Sequence, residues 1–510
     1  MKKNNFAAAL LALSILLTGC GGTSSHNVND STAPAAIENT EAEITDIHTI
    51  ITSKDHRVTT AATSAAEAIS STVTSSTEAA QTEIITEAPN EQPQTVAPTA
   101  EVQPQPAEQP TEEPVNTEAP AQEEVINITT TAETTTTLLT ATTAVTTLAE
   151  TTTTITTSLL PKILLDSMTL EQKVCQMFMV TPEALTGISP MTAVGGGTQK
   201  AIAEYPVGGI IYFAQNMTSQ EQMKAMISAT QSYAKEACGI GLFTAVDEEG
   251  GQVARCAQKL GTTVFNDMAY YGELNDSKTA YSIGSTIGKD IHALGFNVDF
   301  APVADVNLCS ANELGDRIFS SDPKVVANMS SYVVKGLQDE GVCATLKHFP
   351  GLGAENGNTH TYSTVVIDRT VDELREAEFI PFKESIKAGA NFVMVGHQIV
   401  TGFGDELPCD LSYKAVTEIL RKELGFDGIA ITDSQQMNTI STVYSSGEAA
   451  KLSIKAGVDI ILMPVDYKQA IDDVCKAVRS GEISEKRINE SVMRILRKKS
   501  ELGLLKKQHT

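Results

Sequence analysis

The sequence of 510 residues contains no tryptophan, few aromatic residues (5%) and no two cysteines in CxxC spacing. Its eight cysteines are scattered and form no cluster with histidines, so neither a zinc site nor a disulfide framework is indicated. The net charge is −26 at pH 7 and no basic stripe occurs, which argues against nucleic acid as a partner. We expect no metal and no cofactor.

The first twenty residues have the organisation of an export signal. Lys2 and Lys3 precede an apolar run at 6–17, which is too short to span a bilayer permanently, and the sequence LTGC follows at 17–20. This ending resembles the bacterial lipoprotein box. We therefore expect 1–20 to be a lipoprotein signal peptide and acyl chains on Cys20 to anchor the protein extracytoplasmically to the cell membrane. The alternative is an ordinary secretory signal with a chance cysteine.

The segment 21–160 is rich in Thr, Ser, Ala, Pro and Glu and carries 20 Asp or Glu against Lys54 and Arg57. Few large apolar side chains are available to offset chain entropy, so the segment is predicted to be a disordered linker. Like charges and prolines extend such a linker. This suits an anchored domain that reaches outward.

The remaining residues, 161–510, are enough for one large folded domain. Eight short apolar runs alternate with amphipathic stretches, which predicts an α/β fold of the (β/α)8 TIM-barrel type, with an open doubly wound sheet as the alternative. The runs are 176–180, 209–213, 242–246, 297–303, 342–347, 391–395, 428–432 and 458–463. Helices are expected at 219–236, 323–340, 371–388 and 412–424.

Local signals support these boundaries. Asp322 before Pro323 is typical of a helix start, whereas Gly341 and Gly389 stand where helices are expected to end. Polar residues follow five of the runs, and in a parallel barrel these strand ends meet at one mouth. The convergence predicts an enzyme site built from Asp247, Asp305, Asn307, Lys347, His348, His397 and Asp433. His397 is either a pocket residue or a packed core residue.

The fifth run ends in Lys347 and His348, and a glycine-rich loop then leads to Asn358 and His360. Pro350 stops the strand, and the glycines let the loop turn, so His360 is expected on a loop at the rim. The alternative reading makes both histidines packed core residues.

Four ordered motifs carry a family resemblance: VDEEGGQVAR at 246–255, GDR at 315–317, KHFPG at 347–351 and ITD at 431–433. Together they resemble glycoside hydrolase family 3, specifically its single-domain β-N-acetylhexosaminidase branch, over about 164–504. The resemblance implies a barrel that cleaves glycosides with retention through a covalent intermediate on an aspartate.

The resemblance also implies the catalytic residues. Asp433 would be the nucleophile, although an Asp at this position also suits a helix cap. His360 would be the acid/base, a role that suits an imidazole because it titrates near neutrality. The chain departs from the family in having Asn358 where an Asp orients this histidine, and Leu352 where a His is usual. Glu355 is a substitute partner or a solvated loop charge.

By the same resemblance, substrate would be bound by Asp247, Arg255, Arg317, Lys347 and His348. Structural alternatives exist for two of these residues. Arg317 could simply pair with Asp305, and Arg255 could lie on a helix face.

The expected function is removal of a terminal β-linked N-acetylhexosamine (GlcNAc-type) from cell-wall or chitin-type oligosaccharides, with peptidoglycan fragments among the partners. The absence of tryptophan favours a pocket for one sugar over a long groove with aromatic platforms. The alternatives are a catalytically weak sugar-binding surface lipoprotein, because of Asn358, and an exo-β-glucosidase. The latter is disfavoured because no second folded domain follows the barrel to supply a carboxylic acid. The sequence leaves open the oligomeric state and whether phosphate replaces water.

Overall fold

Eight short parallel strands form the central sheet of the computed structural model, which describes residues 159–355, 357 and 364–505. In chain order they are β1 Phe178–Val180, β2 Gly209–Ile211, β3 Phe243–Val246, β4 Val298–Asp299, β5 Cys343–Phe349, β6 Phe392–Val395, β7 Ile429–Thr432 and β8 Ile461–Leu462. Seven of them lie within the predicted runs, and β5 extends two residues beyond the run predicted at 342–347.

The sheet closes into a barrel. Each strand from β1 to β6 pairs with the next, and β8 pairs with β1. A parallel bridge joins Ile431 of β7 to Ile460, the residue before β8, and the Thr432 amide donates to the Ile460 carbonyl at 3.0 Å. The predicted (β/α)8 barrel is therefore confirmed, and the open doubly wound sheet is excluded.

An outer layer of helices covers the strands. The longest helices between consecutive strands, with the helix after β8, are Gly196–Glu204, Gln220–Cys238, Ser277–His292, Pro323–Asp339, Phe379–Lys387, Lys414–Glu423, Ser446–Ala456 and Tyr467–Arg479. Shorter helices are Leu170–Cys175, Pro182–Thr186, Arg255–Leu260, Met268–Leu274, Val371–Glu376 and Asn438–Ser441, and the helix Glu485–Glu501 follows the barrel. Because helices cover the sheet, the strands are buried and consist mostly of apolar residues.

The residues predicted to begin and end helices do so in the structure. The Asp322 side chain accepts from the Lys324 amide, with Pro323 in the first turn. Gly341 and Gly389 have φ of 80° and 96°, the left-handed conformation that ends a helix.

Two predicted helices differ in form. The stretch 371–388 contains two helices, because the backbone leaves helical geometry at Ala377 (φ −134°, ψ −79°). The adjacent Glu378 is buried against Arg369, 2.7 Å away. The stretch predicted at 412–424 is a π-helix over Lys414–Glu423.

The signal peptide, the lipidation site Cys20 and almost all of the linker predicted at 21–160 lie outside the described residues. Within the described part of the chain, no helix combines the length and apolarity needed to cross a membrane. The seven cysteines from Cys175 to Cys475 are free thiols, as predicted.

Candidate functional site

A cavity of about 510 Å³ opens at the carboxyl ends of the strands. Such a volume suits a small ligand, and this end of a parallel barrel carries the chemistry in known barrel enzymes. Six residues predicted for the site line this one cavity, although they come from four separate motifs of the sequence. They are Asp247, Arg255, Arg317, Lys347, His348 and Asp433.

Lys347 and His348 both face the cavity, although adjacent residues of a regular strand point to opposite faces. The pairing of β5 with β6 explains this. Leu346 pairs with Val393 but Phe349 pairs with Val395, so the register shifts between them. The irregularity gives β5 one extra residue, and such irregularities re-aim side chains at active sites.

A buried network of four charged groups forms one wall. The Lys347 Nζ lies 2.9 Å from Asp247 Oδ1 and 2.6 Å from Glu249 Oε1. Arg317 binds Glu249 in a bidentate manner, through Nε and Nη2 at 2.8 Å each. Two cations and two carboxylates therefore compensate one another, and each presents its remaining hydrogen-bonding capacity to the cavity.

The network fixes the charge of its members. Burial raises the pKa of Glu249, but Lys347 and Arg317 outweigh it and lower this pKa to about 2. Burial lowers the pKa of Lys347, but the carboxylates of Asp247 and Glu249 raise it above its usual value overall. Glu249 and Lys347 are consequently ionised at neutral pH.

The alternative pairing of Arg317 with Asp305 is wrong. Asp305 instead orients His348: its Oδ2 accepts from the His348 amide at 2.9 Å and lies 2.8 Å from the ring Nδ1. Its Oδ1 accepts from the Leu352 amide at 2.7 Å. Asp305 thus holds both the imidazole and the first turn of the following loop.

Asp433 follows β7 and contributes its carboxylate to the cavity. Its amide donates to Val395 at 2.9 Å, and its Oδ1 accepts from the Ser434 amide at 2.7 Å. It does not cap the next helix, Asn438–Ser441, whose N-cap is Met437. Burial raises the pKa of Asp433, but nearby His397, His348 and Lys347 outweigh it, so this pKa is lowered and the group is an anion.

Arg255 is both the first residue of the helix Arg255–Leu260 and a cavity residue. Its Nε is buried and has no hydrogen-bond partner within the part of the chain that the structure describes. Such a donor is costly unless a ligand satisfies it. The neighbouring Glu248 faces away from the cavity and accepts from the amides of Cys256 and Ala257, at 2.6 and 2.9 Å.

The turn between Asp247 and Arg255 requires glycine. Gly250 and Gly251 have φ of 85° and 56°, and a Cβ on Gly251 would lie 2.5 Å from the Asp267 carboxylate. Gly353 allows another close approach, since a Cβ there would lie 2.0 Å from the Val306 carbonyl oxygen. This contact seats the start of the loop after β5 at the mouth.

The two remaining predicted catalytic residues, Asn358 and His360, lie outside the described residues. Glu355 is described but is not among the residues that line the cavity.

His397 does not line the cavity, so the alternative that made it a pocket residue is wrong. Its side chain is completely buried between Asp410 and the Ser434 carbonyl. Sequence reasoning also missed Glu249 as the centre of the charged network. The pair Glu248-Glu249 was visible in the sequence, but which carboxylate faces inward depends on the irregular pairing of Glu248–Gly250 with Val253–Ala254.

Comparisons with known proteins show that the chain is similar to beta-hexosaminidases. The beta-hexosaminidase A of Pseudoalteromonas piscicida is 32% identical over 338 residues, which are 61% of this chain and 56% of the relative. The beta-hexosaminidase of Nitrosomonas eutropha is 32% identical over 270 residues, 52% of this chain and 75% of the relative.

Solved structures are also similar to this chain. The glycoside hydrolase family 3 beta-N-acetylglucosaminidase from Paenibacillus sp. superimposes with a TM-score of 0.62 at 35% identity, covering 66% of this chain and 64% of that one. The beta-N-acetylhexosaminidase from Beutenbergia cavernae has a TM-score of 0.59 at 28% identity, covering 65% and 99%.

This chain therefore spans less than two thirds of the Pseudoalteromonas and Paenibacillus proteins. The family model described as the glycosyl hydrolase family 3 N terminal domain matches residues 169–498, which include all eight strands of the barrel. The chain belongs to glycosyl hydrolase family 3.

Proposed function

We propose that this protein is an exo-acting retaining glycosidase that removes terminal β-linked N-acetylhexosamine from cell-wall or chitin-type oligosaccharides. Family membership supports glycoside cleavage, and the named relatives are beta-hexosaminidases and a beta-N-acetylglucosaminidase. The cavity supports exo action, since about 510 Å³ is a pocket for a small ligand rather than a long groove.

One observation carries the proposal: Asp433 offers an ionised carboxylate to a cavity at the barrel mouth. Within residues 159–355 and 364–505 this carboxylate forms no ion pair, unlike Asp247 and Glu249 in the same cavity. An oxygen of Asp433 attacks the anomeric carbon as the bond to the departing oxygen breaks, and a covalent glycosyl ester results. Attack by water then releases the sugar and regenerates the carboxylate.

The proton transfers are assigned to His360. Its imidazolium donates a proton to the departing oxygen, and the neutral imidazole then takes a proton from the attacking water. Asn358, two residues earlier, replaces the usual aspartate. An Asn accepts a hydrogen bond from the ring but supplies no negative charge to stabilise the imidazolium. We therefore propose a reaction that is slower than in relatives with the aspartate.

The charged wall binds the sugar. Asp247 accepts from ring hydroxyls, whereas Lys347, His348 and Arg317 donate to hydroxyl or acetamido oxygens. Arg255 adds a donor whose Nε lacks a protein partner among the described residues. Because Asp305 and Glu249 hold three of these donors, the wall is organised before substrate arrives.

We further propose that the protein works outside the cell, attached to the membrane through lipid on Cys20, with 21–160 as an extended linker. The sequence LTGC at 17–20 and the acidic, proline-containing composition of the linker support this. Metabolic labelling with an alkyne fatty acid tests it. Label on the wild type that disappears in Cys20→Ala is expected, and equal labelling of both would overturn it.

A sugar-binding surface lipoprotein with little turnover is the second candidate, and Asn358 is the observation that favours it. An exo-β-glucosidase is the third. Assays of the full-length protein with para-nitrophenyl N-acetyl-β-glucosaminide and the matching β-glucoside separate these functions. Parallel reactions with inorganic phosphate reveal a sugar phosphate if phosphate replaces water.

For the glycosidase, we expect turnover of the N-acetylated substrate and a loss of about four orders of magnitude in Asp433→Ala. Asp372→Ala is the control, since that side chain is 87% exposed and does not line the cavity, and the activity of this variant should be unchanged. Tight binding of N-acetylglucosamine without turnover would favour the binding protein instead.

A further inference from the structure

His397 is a buried histidine behind the cavity, two residues beyond the end of β6. Its side chain and that of Asp410 are both 0% exposed. The ring contacts two groups: Nδ1 lies 3.0 Å from Asp410 Oδ1, and Nε2 lies 2.9 Å from the backbone carbonyl oxygen of Ser434. Ser434 is the residue after the proposed nucleophile, so the ring contacts the segment that carries it.

These two contacts determine where the ring protons lie. A carbonyl oxygen only accepts hydrogen bonds, so Nε2 carries a proton and donates to Ser434. Asp410 Oδ1 faces Nδ1, so a second ring proton at that nitrogen completes an ion pair with the Asp410 side chain. Asp410 and Asp433 raise the pKa of His397 to about 9 against the effect of burial, which agrees with the geometry.

The imidazolium acts on Asp433 in two ways. Its hydrogen bond fixes the Ser434 carbonyl, while the Ser434 amide donates to Asp433 Oδ1 at 2.7 Å. The same segment is tied to β6 by the bond from the Asp433 amide to Val395. The ring is also a fixed positive charge on the side of Asp433 away from the cavity, where it favours the carboxylate over the neutral acid.

We propose that His397 is a positioning residue for the nucleophile: as a buried cation paired with Asp410, it orients the Asp433–Ser434 segment and keeps the Asp433 carboxylate ionised. This inference rests on the proposed glycosidase function. It adds an outer layer to the site, because His397 never contacts the sugar and acts through Asp433.

The charges around both groups define the test. Asp410 and Asp433 face His397, and Cys409 and Tyr444 lie near Asp410. On the side of β5, His348 and Lys347 also face Asp433. Replacing His397 by glutamine removes the charge behind Asp433 but keeps a hydrogen-bonding side chain there.

The first measurement reads the charge state directly. The full-length protein has eight histidines and is labelled with ¹⁵N-histidine, and the resonances of His397 are identified by their absence in His397→Gln. We expect both ring nitrogens to be protonated from about pH 5.5 to about pH 8, where free histidine titrates. A neutral ring at pH 7 would overturn the inference.

The second measurement is the pH profile of kcat/KM, whose acidic limb reports the ionisation of Asp433 in the free enzyme. In His397→Gln the acidic limb should move to higher pH. The value of kcat/KM should fall by about tenfold or more on the acidic side and by less on the alkaline side. Asp410→Asn should move the limb in the same direction. KM should change little, because His397 does not touch the sugar.

Arg421→Gln is the matched control. Arg421 is a cation with an 11% exposed side chain, it is paired with the buried Asp459, and it does not line the cavity. The control should lower the unfolding temperature without moving the acidic limb. If His397→Gln behaves in the same way, His397 is only a structural residue and the inference is wrong. If His397→Gln does not fold, Asp410→Asn decides the same question.

The proposed function and this inference are tested independently. If the wild type turns over no β-N-acetylhexosaminide, calorimetric binding of a cationic 2-acetamido iminosugar still reports the Asp433 charge. As the pH is lowered, binding to His397→Gln should weaken at a higher pH than binding to the wild type. That result supports the electrostatic role alone. Identical pH dependence in both proteins would overturn it.

Discussion

The Lys347 ammonium and the Glu249 carboxylate form an ion pair of 2.6 Å in the charged wall of the cavity, where their side chains are only 3% and 2% exposed. A buried pair of this kind gains little relative to an apolar replacement, but removing one partner leaves an uncompensated charge. Glu249 also holds Arg317, so it organises two of the proposed sugar-binding donors.

We therefore predict that Glu249→Gln lowers the free energy of unfolding by about 3 to 5 kcal/mol, measured by urea denaturation. Glu384→Gln is the control, since its pair with Lys387 is largely exposed and is worth about 1 kcal/mol or less. Because the folded-state pKa of Glu249 is about 2, the difference from wild type should shrink as the pH falls from about 4.5 toward 2. A difference that is independent of pH would contradict the ion pair.

Lys499 lies at the end of the barrel opposite the mouth and predicts the reverse pH trend. Its Nζ donates to Gln176 Oε1 and to the Gly208 carbonyl, both at 2.8 Å, and burial lowers its pKa to about 7. Between about pH 7 and 10.5 the unfolded chain binds more protons at this residue, so stability rises with pH.

The measurement is the unfolding free energy of wild type minus that of Lys499→Met, followed over this pH range. We expect the difference to increase as the pH rises, because the methionine variant has no group that titrates at this position. Lys486→Met, at a side chain that is 87% exposed, should show no such trend. A flat difference for Lys499→Met would show that the buried amine keeps its ordinary pKa.

Much of the fold could be predicted because barrel strands are buried on both faces. Each appears in the sequence as a short apolar run, and Asp322 and Gly341 mark helix ends through local chemistry. The break at Ala377 could not be predicted, since it accompanies burial of Glu378 against Arg369. Tertiary contacts of this kind override a helical pattern.

The site, too, could be predicted from the sequence only in part. Asp247, Lys347 and Asp433 follow strands, so their convergence at the mouth follows from the fold alone. The partners of these residues do not. Glu249 faces the cavity while Glu248 caps a helix, and His397 turns toward Asp410 instead of the pocket. Those directions depend on strand irregularities and on loops, which the periodicity of a sequence does not encode.

Arg255 predicts a ligand contact. Its buried Nε lacks a partner in the described part of the chain, so a substrate oxygen satisfies it only when the cavity is filled. Arg255→Lys should raise KM by about 10-fold to 100-fold, since a hydrogen bond to a charged group is worth about 1.5 to 3 kcal/mol. An unchanged KM for the N-acetylated substrate would assign this arginine to the helix face.

We predict that replacing Asn358 by aspartate increases the activity. If His360 is the acid/base, Asn358→Asp supplies the charge that stabilises its imidazolium, and kcat should increase by about tenfold or more. The effect should be larger for substrates with poor leaving groups, which need protonation. Asn358→Ala is the control and should lower kcat. Equal rates for the wild type and Asn358→Asp would contradict the role given to His360.

The most direct test is to trap the covalent intermediate on the full-length protein. A slow fluorinated N-acetylglucosaminide with a good leaving group is incubated with wild type and with Asp433→Ala, and the digested proteins are analysed by mass spectrometry. We expect one added sugar on the wild-type peptide that contains Asp433, and none on the variant. Turnover with the sugar attached to a different residue would contradict the assignment of Asp433 as the nucleophile.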